Sequence, residues 1–178
     1  MRISFILINL LWLASCATQV TSIKLDNNRV LESGRGFVLL GIQTNRNLKS
    51  ILIDGPQNIE LSSADIKQGT NYLLVDLEAG IYTVHKVRLD NYWRVDLDDE
   101  EYWTFEVMSD QISYVGHLEI VRRGYWSLIT NTELVNRSSE ALQFLEEKYP
   151  KLLASRNLTY GGPGNDNFFQ YLAASKKE

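Results

Sequence analysis

LEAGIYTVHKVRL, Leu77–Leu89, is the stretch that decides the fold class. Glu78-Ala79-Gly80 ends one apolar run, and Gly80 is placed to turn a tight corner because glycine adopts positive φ at little cost. From Ile81 onward the residues alternate. Ile81, Thr83, His85, Val87 and Leu89 are expected on one face, with Tyr82, Val84, Lys86 and Arg88 on the other. A period of two is the mark of a strand in a half-buried sheet.

Working outward, the same kind of segment recurs. Gly36-Phe-Val-Leu-Leu-Gly-Ile42 reads as a buried strand, followed by Leu48–Ile53, which Asp54-Gly55-Pro56 closes. Tyr72–Leu77 precedes the corner. Trp103–Val107 and Ile112–Val121 follow it, and Tyr125–Thr130 is a further candidate. Short strands between closely spaced turn signals point to an antiparallel β-sandwich. One helix is expected late in the chain, capped by Ser138 or Ser139 with Glu140 in its first turn. Leu142, Leu145, Tyr149 and Leu152 form its apolar stripe, and Pro150 ends or kinks it near Tyr149. The tail, Tyr160–Tyr171, reads as a Gly-rich loop followed by aromatic residues that dock back. The expected fold is therefore mainly β: an antiparallel sandwich over residues 23–178 with one C-terminal α-helix packed on it.

The amino terminus has a different character. Arg2 and the terminal amine precede an apolar run, Ile3–Ala14, and small residues follow. That is the form of a secretory signal peptide, and the run is too short to span a bilayer. Leu13-Ala14-Ser15-Cys16 resembles the bacterial lipobox. The lipid-transferring enzyme needs a thiol, and the peptidase needs small side chains before the cut. The resemblance implies a signal peptide cleaved after residue 15, a diacylglycerol thioether on Cys16 with an acylated amine, and a lipidated tether over residues 16–22. Ala17, where an Asp would favour inner-membrane retention, points to the periplasmic side of the outer membrane of a Gram-negative cell.

Composition narrows the partners. Cys16 is the sole cysteine of the 178 residues, so no internal disulfide is available. Once Arg2 leaves with the signal, 17 cationic side chains face 22 acidic ones, a net charge of −5. That balance argues against nucleic-acid binding, which uses basic patches. The bilayer is the expected partner through Cys16, with another envelope protein or a glycan as the soluble one.

Candidate sites are sparse. His85 and His117 both fall in strands without the spacing of a metal site, and no Gly-x-Ser-x-Gly elbow is present. Asp96-Leu-Asp-Asp-Glu-Glu101 has the oxygen ligands calcium needs but lacks an EF-hand pattern, so it reads as a solvated hairpin loop. Tyr92, Trp93, Tyr102 and Trp103 flank it, and Tyr125-Trp126 lies further on. Aromatics beside carboxylates such as Asp96 and Asp98 suit sugar stacking, and equally suit the filling of a sandwich edge. Gly161-Gly-Pro-Gly164 lacks the Lys-Ser/Thr of a phosphate loop. No metal and no cofactor is expected.

LEAGIYTVHKVRL, WTFEVMSDQISYVGHLEI (Trp103–Ile120) and EALQFLEEKYPKLL (Glu140–Leu153) together resemble a broad group of bacterial lipoproteins. These carry an immunoglobulin-like or prealbumin-like sandwich, of the kind also found in carboxypeptidase-regulatory-like modules. The group's pattern is a Pro-Gly-x-Tyr hairpin, a Phe-x-Val strand, a Tyr-x-Gly-x-Leu strand and a late helix ending in Tyr-Pro. Ala79 stands where that pattern has Pro, and Asp110 stands about where it has Gly. The resemblance spans residues 70–150. It implies a sandwich and a non-catalytic envelope binding or assembly module, and it supplies no active-site residue. The alternative from the residues themselves is a lipid-anchored hydrolase using a histidine and a carboxylate.

Overall fold

The structure, a computed structural model, describes residues 17–27, 30–98, 100–122 and 130–175. The strands are β1 (Thr18–Val20), β2 (Arg35–Thr44), β3 (Ser50–Asp54), β4 (Ile59–Ser62), β5 (Gly69–Glu78), β6 (Gly80–Arg88), β7 (Arg94–Asp96), β8 (Thr104–Val107), β9 (Ile112–Arg122), β10 (Thr130–Val135) and β11 (Leu158–Tyr160). The helices are α1 (Glu100–Trp103), α2 (Ser138–Lys148), α3 (Pro150–Ser155) and α4 (Phe168–Ser175). The first sheet runs β1-β4-β3-β6-β7, with β8 sharing the β7 side of β6. The second runs β10-β9-β2-β5, with β11 also on β9. Among the described residues most pairings are antiparallel, but β1 with β4, β2 with β9 and β11 with β9 are parallel. The sandwich is thus built of two mixed sheets.

The two sheets close on one core. Val38, Leu40, Ile42, Leu73, Val75 and Leu77 of the second sheet meet Ile51, Ile53, Ile59, Leu61, Tyr82 and Val84 of the first. The second sheet is covered again on its other face. There Phe37, Leu39, Leu74, Ile112 and Tyr114 pack under Ala141, Leu145, Tyr149, Leu152 and Phe169 of the helical layer. This double coverage explains why β2 is an unbroken apolar run, since a strand buried on both faces has no polar side to present. Tyr149 separates α2 from α3, and Pro150 opens α3, where its missing N–H costs nothing. The aromatic tail docks as α4, with Phe169 buried.

Two β-bulges correct the simple alternation. On β6, Leu52 pairs with Lys86 and Ile53 with Val84, so His85 is an extra residue. Tyr82 and Val84 therefore point inward, and after the bulge so do Val87 and Leu89, while Ile81 and His85 are exposed. The single-face set Ile81–Leu89 expected from sequence is thereby split, because one extra residue inverts every later side chain. On β9, Leu39 pairs with Tyr114 and Gly41 with His117, which places a second extra residue near Gly116, whose φ is 108°.

Other expectations shift locally. The acidic run expected as a plain loop contains β7 at Asp96 and α1 from Glu100. The late strand is Thr130–Val135, beyond the expected Tyr125–Thr130, of which residues 125–129 lie outside the described residues. Residues Thr18–Val20, expected in a tether, are β1 of the first sheet. Ser138 is the first residue of α2 and not its cap; Arg137 occupies the cap position without a capping side chain.

Candidate functional site

The aromatic and acidic residues singled out in the sequence lie along the β7 and β8 side of the first sheet, beside β6. At one end, the Asp90 carboxylate accepts the N–H groups of Tyr92 and Trp93 at 2.8 and 2.9 Å. The Trp93 carbonyl accepts the N–H of Leu89, also at 2.9 Å, so the turn is closed from both sides. Tyr92 is 90% exposed and Trp93 45%. Asp96 sits between Lys86, 3.2 Å away, and Arg94, 3.1 Å away. These two cations hold its carboxyl below the ordinary carboxylate range. Asp98 is exposed. Tyr102 is exposed on α1, whereas Trp103 turns in and packs against the inter-sheet core.

Strand register separates these groups. The Tyr92–Trp93 turn follows Arg88, while Thr104, next to Trp103, pairs with Thr83. Five residues of strand separate those levels, about 16 Å. The six residues therefore do not converge on one patch. Tyr92 and Trp93 form an exposed pair at the end of the sandwich, and Trp103 is a packing residue. Tyr125 and Trp126 lie outside the described residues.

The histidines are held apart. His85 is exposed on the first sheet, and its carbonyl accepts the N–H of Leu97. His117 is fully buried on the helical face of the second sheet. The bulge at Gly116 puts Tyr114 and His117 on the same face although they are three residues apart, and the Tyr114 hydroxyl lies 2.9 Å from His117 Nδ1. The same hydroxyl accepts the N–H of Arg137 at 2.9 Å, tying the start of α2 to β9. In the neutral ring one nitrogen carries the proton, and the Tyr114 hydroxyl can either donate to Nδ1 or accept from it. Nε2 is buried without a hydrogen-bond partner. The ring lies over Gly41, where a Cβ would come within 2.4 Å of it, and meets Tyr72 edge-on at 4.9 Å. Burial first, and then the Arg137 charge, lowers the His117 pKa from 6.5 to about 4, against an opposing influence from Glu140 and Glu119. Burial likewise raises the Tyr114 phenol above its ordinary value. Arg137 in turn pairs with Glu119 and, at 3.4 Å, with Glu140. A neutral, enclosed imidazole with a phenol on one side has the features of a packing element. Among the described residues no three His, Cys, Asp or Glu side chains cluster as a metal site.

The amino-terminal segment, expected from sequence to be a tether over residues 16–22, is bonded into the fold from Thr18 onward. Thr18 donates its N–H to Asn58, and β1 lies parallel to β4. The chain then crosses to the second sheet. Ser22 N–H donates to Asp65, whose side chain is nearly buried, and Lys24 pairs with the same carboxylate at 2.6 Å. The Ser22 hydroxyl accepts the Leu74 N–H, and Ile23 N–H donates to the Leu74 carbonyl. The Tyr149 hydroxyl donates to the Ile23 carbonyl. Asp26 accepts the N–H groups of Lys151 and Leu152 at 2.9 and 3.0 Å, capping α3. One segment therefore joins the first sheet, the edge of the second and the helical layer.

This segment also gives the sandwich two distinct poles. Thr18 enters at the pole formed by the turns at residues 55–58 and 78–80 and by residues 108–111. The Tyr92–Trp93 turn lies at the opposite pole, with residues 45–49 and 62–68. Residues 1–16, including Cys16, lie outside the described residues. No helix among the described residues is long and apolar enough to cross a membrane. Comparison with known proteins returned no matching family model, no matching curated protein and no matching solved structure.

Proposed function

We propose that this chain is a lipid-anchored binding or assembly module of a bacterial cell envelope, related to the lipoproteins with an immunoglobulin-like or prealbumin-like sandwich. Residues 1–15 act as the signal peptide, and acylated Cys16 begins the mature chain. The observation that carries the reading is the position of Thr18: β1, the first strand among the described residues, begins two positions after the lipobox-like cysteine. The contacts described from Thr18 to Asp26 all lie beyond a cut before Cys16. Confinement at the bilayer raises the effective concentration of the domain towards envelope partners without any further contact.

The resemblance has further support in the backbone. Gly80, at the corner of the hairpin pattern, has a φ of 147°, and Asp110, at the pattern's Gly position, has a φ of 61°. The Tyr-Pro pair stands at the break between α2 and α3. The exposed Tyr92–Trp93 turn suits recognition of a glycan or of an envelope protein. A hydrolase built on the histidines finds no support, since His85 and His117 occupy different sheets and His117 is enclosed.

The test is Cys16→Ser with cell fractionation and intact mass. The wild type should carry acyl chains and sediment with membranes, and the variant should do neither. An unacylated wild type would refute the anchoring. For the binding role, photo-crosslinking from position 92 in cells should capture a defined envelope component, and Trp93→Ala should abolish the capture. A crosslink that survives Trp93→Ala at full yield would exclude this turn.

A further inference from the structure

We infer that the acylated protein stands upright on the bilayer. The pole bearing Pro56, Ile81 and the 78–80 corner rests at the lipid headgroups, and the Tyr92–Trp93 pole is held away from them. The inference rests on the acylation of Cys16 proposed above, and its geometry comes from the fold. Ala17 alone lies between Cys16 and Thr18, so the two residue steps span at most about 7 Å of extended chain. Thr18 is fixed at its own pole by the bond from its N–H to Asn58, 2.8 Å long, and by register with Ile59. The lipid therefore cannot swing round to the far end. β1 points away from the anchor, parallel to β4.

The near pole has the surface that shallow contact requires. Ile81 is 65% exposed, and Pro56 is exposed beside Gly80, where a Cβ would lie 2.7 Å from the proline ring. Asp54, Glu78 and Glu106 are exposed around them. The described cations of this pole are already engaged, Arg35 with Asp76 and Arg156 with Asp110. An acidic rim has no attraction for anionic headgroups, so contact depends on the anchor and not on the surface itself. The ten residues of β2 set the separation of the poles at about 30 Å, which places the aromatic turn well clear of the headgroups.

The experiment uses full-length acylated protein in vesicles of phosphatidylethanolamine and phosphatidylglycerol. Acylation converts the Cys16 sulfur to a thioether, so a new cysteine can be labelled alone. Ile81→Cys and Tyr92→Cys, both at exposed positions, each receive an environment-sensitive fluorophore, and lipid carrying a headgroup spin label acts as quencher. Quenching should be several-fold stronger at position 81 than at 92. A long Gly/Ser spacer inserted after Ala17 should bring the two towards equality. Unacylated Cys16→Ser protein should show no quenching at either position. Equal quenching without the spacer, or stronger quenching at 92, in protein shown by mass to be acylated overturns the orientation and leaves the anchoring intact. Absence of acyl chains from the wild type overturns both.

Discussion

Acidification from pH 7.5 to 4.5 should cost the fold about 2–3 kcal/mol through His117 alone. In the folded protein this imidazole stays neutral to about pH 4, whereas its ordinary value is 6.5. Between those values the unfolded chain takes up a proton that the folded chain refuses. Stability is therefore complete above pH 6.5 and falls as the pH drops towards 4. The cause is enclosure. The ring is sealed among Gly41, Tyr72 and Tyr114, its Nδ1 already faces the Tyr114 hydroxyl, and the nearest cation, Arg137, opposes a second positive charge. Urea unfolding at the two pH values should give midpoints that differ by roughly 1 M for a slope of a few kcal/mol per molar. His117→Asn offers a hydrogen-bonding side chain near the Nδ1 position with nothing to titrate. The variant is expected to be less stable at neutral pH and to lose most of the wild-type slope between pH 7.5 and 4.5. If wild type and variant show the same slope, His117 is not excluded from protonation and the enclosure argument fails.

Gly41→Ala should destabilise by about 1–3 kcal/mol, because its Cβ would fall within 2.4 Å of the His117 ring; in a double-mutant cycle read by chemical unfolding, His117→Ala should relieve most of that cost. Asp110→Ala should cost about 1–2 kcal/mol, since alanine is strained at φ 61°, and Asp110→Gly should cost less despite losing the 2.6 Å pair with Arg156, an order that thermal unfolding of the two variants would check. Asp26→Ala removes both carboxylate bonds to the start of α3 and should cost about 1 kcal/mol, with increased hydrogen exchange confined at first to residues 150–155.

The main strands were legible because burial marks them. β2 is apolar on both faces because both are covered, and the 77–89 stretch carries its corner glycine. Asp110 was legible only as a departure from a pattern. Its positive φ explains the departure, because aspartate tolerates that region better than most residues other than glycine and asparagine. The bulges were not legible. A single inserted residue leaves composition unchanged, and at His85 no glycine marks it. The proximity of Tyr114 and His117 was hidden for the same reason, since a regular strand would send them to opposite faces. Parallel pairing of β1 with β4 and of β2 with β9 is a long-range property that no local period records. Trp103 and Tyr102 look alike in sequence, and only the placement of α1 sends one into the core and the other into solvent.

The amino-terminal crossing has a mechanical side. Tension applied ahead of Thr18 acts along the axis of β1, and because β4 runs parallel to it, the ladder is loaded in shear. Its bonds share the load; they are not opened one at a time from the end. Behind them stand the Ser22–Asp65 and Ile23–Leu74 bonds and then the Asp26 cap, so slippage at β1 passes the force to a second sheet and a third layer. Resistance to such a pull is governed by the rate of crossing the unfolding barrier and not by equilibrium stability. The domain is thus braced at the point where a tug from the chain ahead of it would arrive.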